Sequence, residues 1–160
     1  MLTTQQLATL KTYINSVPAL AALPNNSDTA VFIAGELNKQ ASPAFVVWKT
    51  SVPIEEVGDA INATELVGLT TGKLQQLQTI SNFSGGFINP SKADRRSAFD
   101  QVFSAAGGAI TRPALLALWK RTATVFEKLF ATGTGTDLLP ATLVLEGAVS
   151  YFDVEAARAS

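Results

Sequence analysis

Residues 111–132 read TRPALLALWKRTATVFEKLFAT, and the reading of this stretch decides the expected fold. Leu115, Leu118, Trp119, Thr122, Phe126, Leu129 and Phe130 recur at i, i+3, i+4, i+7, i+11, i+14 and i+15. That spacing makes one wide helical stripe, apolar except for Thr122. Thr111 suits an N-cap, and Pro113 falls in the first turn, where a missing N–H costs nothing. Gly133 suits a left-handed cap at the other end. The expectation is a single long helix serving as the spine of the molecule, with Arg112, Lys120, Arg121 and Lys128 on its other faces.

Beyond this helix, residues 133–137 read as a flexible threonine-glycine loop, followed by Leu138-Leu139-Pro140. ATLVLE at 141–146 alternates as a strand does, and Ser150 with Asp153 three residues later marks the cap of a last helix, Tyr151–Ala159. Residues 133–160 thus read as an extended contact arm, and residues 1–132 as a helical body within one domain.

Within that body, Thr3 and Gln6 form a capping box for a helix over residues 4–16, with Leu7, Leu10 and Ile14 on one face. Pro18 ends it. A short apolar turn follows at 19–23, and the polar run at 25–28 caps a second helix over 29–39. Ser42-Pro43 fits a helix start, yet residues 44–50 (AFVVWKT) are β-branched and aromatic and favour a strand. Short helices are expected at 53–60 and 62–68. A longer one begins at Thr70 with Leu74, Leu77 and Ile80 inward, and another follows a capping-box pattern at Ser91 and Asp94. No internal repeat or dividing linker is visible. The expected class is mainly α: a compact helical bundle with one or two short β-strands and the C-terminal arm.

Composition narrows the function. The 160 residues contain neither cysteine nor histidine, so thiolate and imidazole metal sites, Cys nucleophiles and His bases are excluded. Only 16% of residues are charged, against about 25% in typical domains. A surface so sparse in charge suits one partly covered by partner subunits. Net charge is −1 and the sequence pI about 5.4, which gives bulk electrostatics no reason to favour nucleic acid. No apolar run is long enough to span a bilayer, and the first residues do not read as a signal peptide, so a cytosolic location in the producing cell is expected.

Individual motifs add little chemistry. Gly68-Leu69-Thr70-Thr71-Gly72-Lys73-Leu74 has one residue too few between its glycines for a phosphate loop, and Leu where a metal-binding hydroxyl is required. Glu55 and Asp59 share a helical face at i, i+4, a spacing able to offer two oxygen ligands. An acidic first turn explains them more simply. Lys92, Arg95 and Arg96 cluster, but the sequence places no exposed aromatics beside them, and a solvated or subunit-contacting face is the better reading. Trp48 and Trp119 are expected in the core. Three Asn-x-Ser/Thr patterns, at Asn25, Asn62 and Asn82, carry no weight without a signal peptide. No catalytic, cofactor or metal residues are assigned, and a small carboxylate-based enzyme is a remote alternative.

PALAALPNNSD, ASPAFVVWKTSVP, INPSKADRR, EKLFATGTGT and PATLVLEGAVSYFDVEAARAS together resemble small virion structural proteins of tailed bacteriophages, over residues 7–158. Within that group the size and helical character are most similar to head–tail adaptors, also called connector or head-completion proteins. The resemblance implies a homo-oligomeric, usually dodecameric ring at the head–tail junction of the virion, assembled in the host cytoplasm. Its partners would be the portal protein and the tail or nozzle proteins. Packaged DNA would meet it only by passing through the channel, and no membrane is involved. A tail-completion or capsid-associated protein is the alternative. Candidate partner contacts are Leu138, Leu139, Leu143, Leu145, Tyr151, Phe152, Arg95 and Arg96. Deleting residues after Thr136 is expected to leave a folded monomer that no longer assembles.

Overall fold

In the computed structural model, which describes residues 1–159, the chain forms two units. Unit 1 combines residues 1–45 with residues from 122 onward, and unit 2 is the continuous stretch 46–121. The described residues are mainly helical, with short strands forming three two-stranded sheets.

Unit 1 opens with α1 (Thr4–Ser16), capped as its sequence dictates: the Thr3 hydroxyl accepts from Gln6 N at 3.3 Å, and the Gln6 side chain accepts from Thr3 N at 2.8 Å. Pro18 then starts α2 (Pro18–Ala21), and the Asn26 side chain caps α3 (Ser27–Leu37) by accepting from Thr29 N at 2.9 Å.

Unit 2 begins with β1 (Val46–Trp48), β2 (Val52–Pro53), α4 (Ile54–Asp59), α5 (Ala63–Val67) and α6 (Thr71–Phe83). It continues through β3 (Phe87–Ile88), α7 (Ala93–Val102), a 3-10 turn (Ala105–Gly108) and α8 (Thr111–Leu118). Then β4 (Lys120–Thr122) runs beside β1, and Lys49 N donates to Trp119 O at 2.8 Å. The chain completes unit 1 with α9 (Val125–Leu129), β5 (Ala131–Thr132), β6 (Thr142–Leu143) and α10 (Tyr151–Ala159).

The core of unit 1 joins Leu10 and Ile14 of α1, Ile33 and Leu37 of α3, Phe126 of α9, and Val154 and Ala157 of α10. Both α1 and α3 pack against α10. Residues 133–159 are therefore no separate arm, and the expected boundary after residue 132 does not coincide with the division of the chain. The reason is visible locally. Val154 and Ala157 are fully buried, and each buried aliphatic side chain of Val size or larger contributes about 1.5–3 kcal/mol. The approach to α10 is also pinned by paired bonds, Asn38 Nδ2 to Val149 O at 3.0 Å and Val149 N to Asn38 Oδ1 at 2.9 Å. The buried Glu127 carboxylate accepts from Gly147 N at 3.1 Å.

The core of unit 2 gathers Trp48, Val52, Val57, Ile80, Ile88, Phe99, Val102, Phe103, Leu115 and Trp119. Phe99 meets Trp119 edge-to-face, with centroids 5.3 Å apart. The β2–β3 pair is antiparallel, Val52 opposite Ile88 and Pro53 opposite Phe87.

The expected spine helix is broken. Only residues 111–118 and 125–129 are helical, and Lys120–Thr122 is a strand between them. A second capping box restarts the helix: the Thr124 hydroxyl accepts from Glu127 N at 3.1 Å, and Glu127 Oε2 accepts from Thr124 N at 3.0 Å. Nor is Thr111 the N-cap of α8. It is the first helical residue, and the Glu65 carboxylate does the capping, accepting from Ile110 N and Thr111 N at 2.8 Å each. The Thr111 hydroxyl, followed by these amides, holds Glu65 below the ordinary carboxylate range despite partial desolvation. Among the described residues six short strands replace the one or two expected, and 141–146 pairs only at Thr142–Leu143. Ser91 caps no helix, because its amide and hydroxyl turn back to Asn89 Oδ1 at 3.0 and 2.6 Å.

Candidate interaction surfaces

The exposed apolar side chains fall in a few groups, each generated by local chain geometry. In unit 1, the loop from Gly133 to Pro140 presents Leu138 and Leu139, 89% and 65% exposed. The loop is built, not slack. Leu139 O accepts from the Thr134 hydroxyl at 2.9 Å and from Thr136 N at 3.2 Å, while Leu139 N donates to the Thr136 hydroxyl at 3.0 Å. Gly135 sits at φ +67° with its Cα face against the Phe45 ring, so a Cβ there would overlap the ring. Lys128 also lies over that ring, its ammonium 5.5 Å from the centroid.

Tyr151 and Phe152 open α10 with their rings 3.9 Å apart, and Phe152 faces a cavity of about 390 Å³ also lined by Met1, Leu2 and Leu7. Asp153 supports this corner. Its carboxylate accepts from Ser150 Oγ at 2.6 Å and from Leu2 N at 3.2 Å. Burial raises its pKa, but the Ser150 hydroxyl, the Leu2 and Ser150 amides and the N-terminal ammonium outweigh that and hold it below the ordinary value. Leu143 and Leu145, expected as partner contacts, lie elsewhere: Leu143 is buried in β6, and Leu145 packs onto the core of unit 1. On α3 of the same unit, Val31 and Phe32 point outward one turn from Asp28.

In unit 2 the two candidate arginines separate. Arg96 is committed within the fold. Its guanidinium carbon lies 4.2 Å from the Trp48 ring centroid, and Nη1 donates to Pro90 O. Burial lowers its pKa, opposed by the nearby Asp100 and Asp94 carboxylates. Arg95 faces outward, into a pocket of about 170 Å³ shared with Phe83, Phe87, Ile88, Asn89 and Lys92. Phe83 and Phe87 are 81% and 56% exposed. The exposed aromatics that the sequence did not place beside the cations are therefore there. Gly85 and Gly86, at φ +63° and +88°, reverse the chain between α6 and β3. The two-residue alternation of β3 then turns Phe87 out as Ile88 turns in. Reading the Gly-Gly turn as the end of α6 and the entry to a short strand would have found Phe87.

Among the described residues no three acidic side chains group as metal ligands, so Glu55, Glu56 and Asp59 form no such cluster. No helix among them is long and apolar enough to cross a membrane. No protein-family model matches the chain, and neither a curated protein nor a solved structure matches it.

Proposed function

We propose that this chain is a structural subunit of a tailed-phage virion that works by self-association and docking, in the role of a head–tail adaptor between portal and tail. The observation that carries the docking part is the combination of a 16% charged composition with large apolar side chains left outside on both units: Phe32, Leu138, Leu139 and Phe152 on one, Phe83 and Phe87 on the other. Contiguous exposed apolar groups on a folded chain mark protein contacts. The placement at the head–tail junction of the virion rests on the resemblance of the five sequence stretches quoted above. Contacts are made by the Leu138-Leu139 loop and the Tyr151-Phe152 corner as fixed projections of unit 1, not by a detachable arm.

Native mass spectrometry and electron microscopy of the purified protein, alone and mixed with the portal of its own phage, test this reading. A ring seated on the portal is expected. A monomer indifferent to portal would overturn it.

A further inference from the structure

We infer that the Phe83/Phe87/Lys92/Arg95 pocket of unit 2 receives the outer face of α3 from a second copy of the chain, a contact that rests on the self-association proposed above.

The pocket has two halves. Phe83, Phe87 and the buried Ile88 give the lining its apolar part, and Lys92 and Arg95 give it cations. Neither cation's side chain has a hydrogen-bond or ion-pair partner among the described residues, unlike Arg96 on Trp48 and Arg112 on Asp100. A ligand for this pocket needs one or two apolar side chains beside an anion. At about 170 Å³ it admits the tips of such side chains and no more.

The outer face of α3 carries that pattern. Val31 and Phe32 are more than half exposed, and Asp28, on the same face at i, i+3 and i+4, is exposed with no ion-pair partner among the described residues. Gly35, the next position along this face, has open space where a side chain would stand, so no side chain at that position covers the stripe. An amphipathic helix presenting i, i+3, i+4 anchors to an apolar groove is a recurrent docking mode.

Net charge favours the same pairing. Unit 2 holds eight Lys and Arg against six Asp and Glu, a net +2, while unit 1 holds four against seven, a net −3. The cationic pocket lies on unit 2 and the acidic stripe on unit 1, so complementary potentials meet only between unlike units. Single-stranded nucleic acid is the less favoured occupant. Two unpaired cations with Asp94 nearby make no track for a phosphate backbone, which such binding requires.

Because the two patches differ, the contact is heterologous, and repeated copies form a ring or an open filament. A patch this small is weak alone and gains from repetition around a closed assembly.

Arg95→Glu and Asp28→Arg test the pairing, with thermal melts confirming that each variant folds as the parent does. Sedimentation velocity is expected to show self-association weakened about tenfold or more in either variant, because each sets like charges face to face. Mixing the two is expected to restore association. The intact α3 of one then meets the intact pocket of the other, and the reversed pair is also complementary. Assembly on portal that survives both substitutions would overturn the docking assignment and leave the adaptor reading standing. Restoration on mixing without any portal binding would support the docking and sink the adaptor role. A monomer at every concentration, alone and with portal, would overturn both. Single-stranded oligonucleotide bound by the parent and lost in Arg95→Glu, with association unchanged, would assign the pocket to nucleic acid instead.

Discussion

Unit 1 and unit 2 solve the same packing problem with opposite chain economies. Unit 2 is one continuous stretch whose core holds both tryptophans, Phe99 and Phe103 among aliphatic side chains. Unit 1 is closed from the two ends of the sequence: α10 covers α1 and α3 across an interval that contains all of unit 2. Bringing distant segments together carries a loop-closure cost that rises only slowly with length, roughly 0.6 kcal/mol per doubling. The discontinuity is therefore tolerable at equilibrium, but the core of unit 1 needs residues from both ends of the chain, whereas the core of unit 2 comes from one stretch. Both tyrosines, Tyr13 and Tyr151, lie in unit 1, so near-ultraviolet signals of tyrosine and tryptophan report on the two units separately.

Ending the chain after Thr136 is the harshest test of that contrast. It removes Leu143, Val149, Val154 and Ala157 from the core of unit 1 and no residue of unit 2. Three of these are aliphatic side chains of Val size or larger, together comparable to the whole stability of a small domain, about 5–15 kcal/mol. The expected outcome is loss of tyrosine circular dichroism and of part of the helical signal, with tryptophan emission still that of a buried indole. The sequence alone suggested a folded, assembly-deficient monomer; survival of the tyrosine signal would restore that view. Phe99→Ala probes the other side. Removing the ring that meets Trp119 is expected to cost about 3–5 kcal/mol and to shift the tryptophan transition while the tyrosine transition stays. Coincident shifts of both would mean that the units unfold as one, and would break the comparison.

The same contrast explains what could be read in advance. In unit 1, elements announced by side-chain caps were legible to within a residue or two: Thr3 with Gln6 for α1, the polar run at 25–28 for α3, where Asn26 is the cap, and Ser150 with Asp153 for α10. Caps are local, so sequence shows them. The break in 111–132 was also written locally, in Thr124 and Glu127, but the apolar stripe ran across it. Periodicity cannot distinguish one helix from two helices whose separating residues Lys120–Thr122 find a strand partner in β1. The capping of α8 by Glu65 was out of reach, because residues 46 positions apart meet only through the fold. The pocket at Arg95 failed for a mixed reason. The cations were visible, but the exposure of Phe83 and Phe87 follows from how α6 ends and β3 pairs. Residues 133–160 read as an arm from sequence because a glycine-rich loop looks like a tether whether or not the helix beyond it is buried.

The mildest test concerns acid, and it addresses both units by the same device: a carboxylate capping a helix whose pKa is lowered in the fold, Asp153 in unit 1 and Glu65 in unit 2. A lowered value means that the unfolded chain binds the proton first, so stability rises with pH through the titration. The contribution of Asp153 is present in full above its ordinary value of 3.8 and is lost as pH falls from there through the lower folded value. For Glu65 the loss begins near 4.5. Asp153→Ala is expected to cost about 1 kcal/mol at neutral pH, at the modest end for a cap because solvent reaches the carboxylate. The gap in the tyrosine-detected transition between variant and parent should narrow below pH 3.8, with the tryptophan-detected transition unmoved. Glu65→Gln should reverse the probes, its gap in the tryptophan transition narrowing below pH 4.5. A gap independent of pH would mean that the carboxylates act by shape and not by charge, and unit 1 would then owe the closure of its chain ends to packing alone.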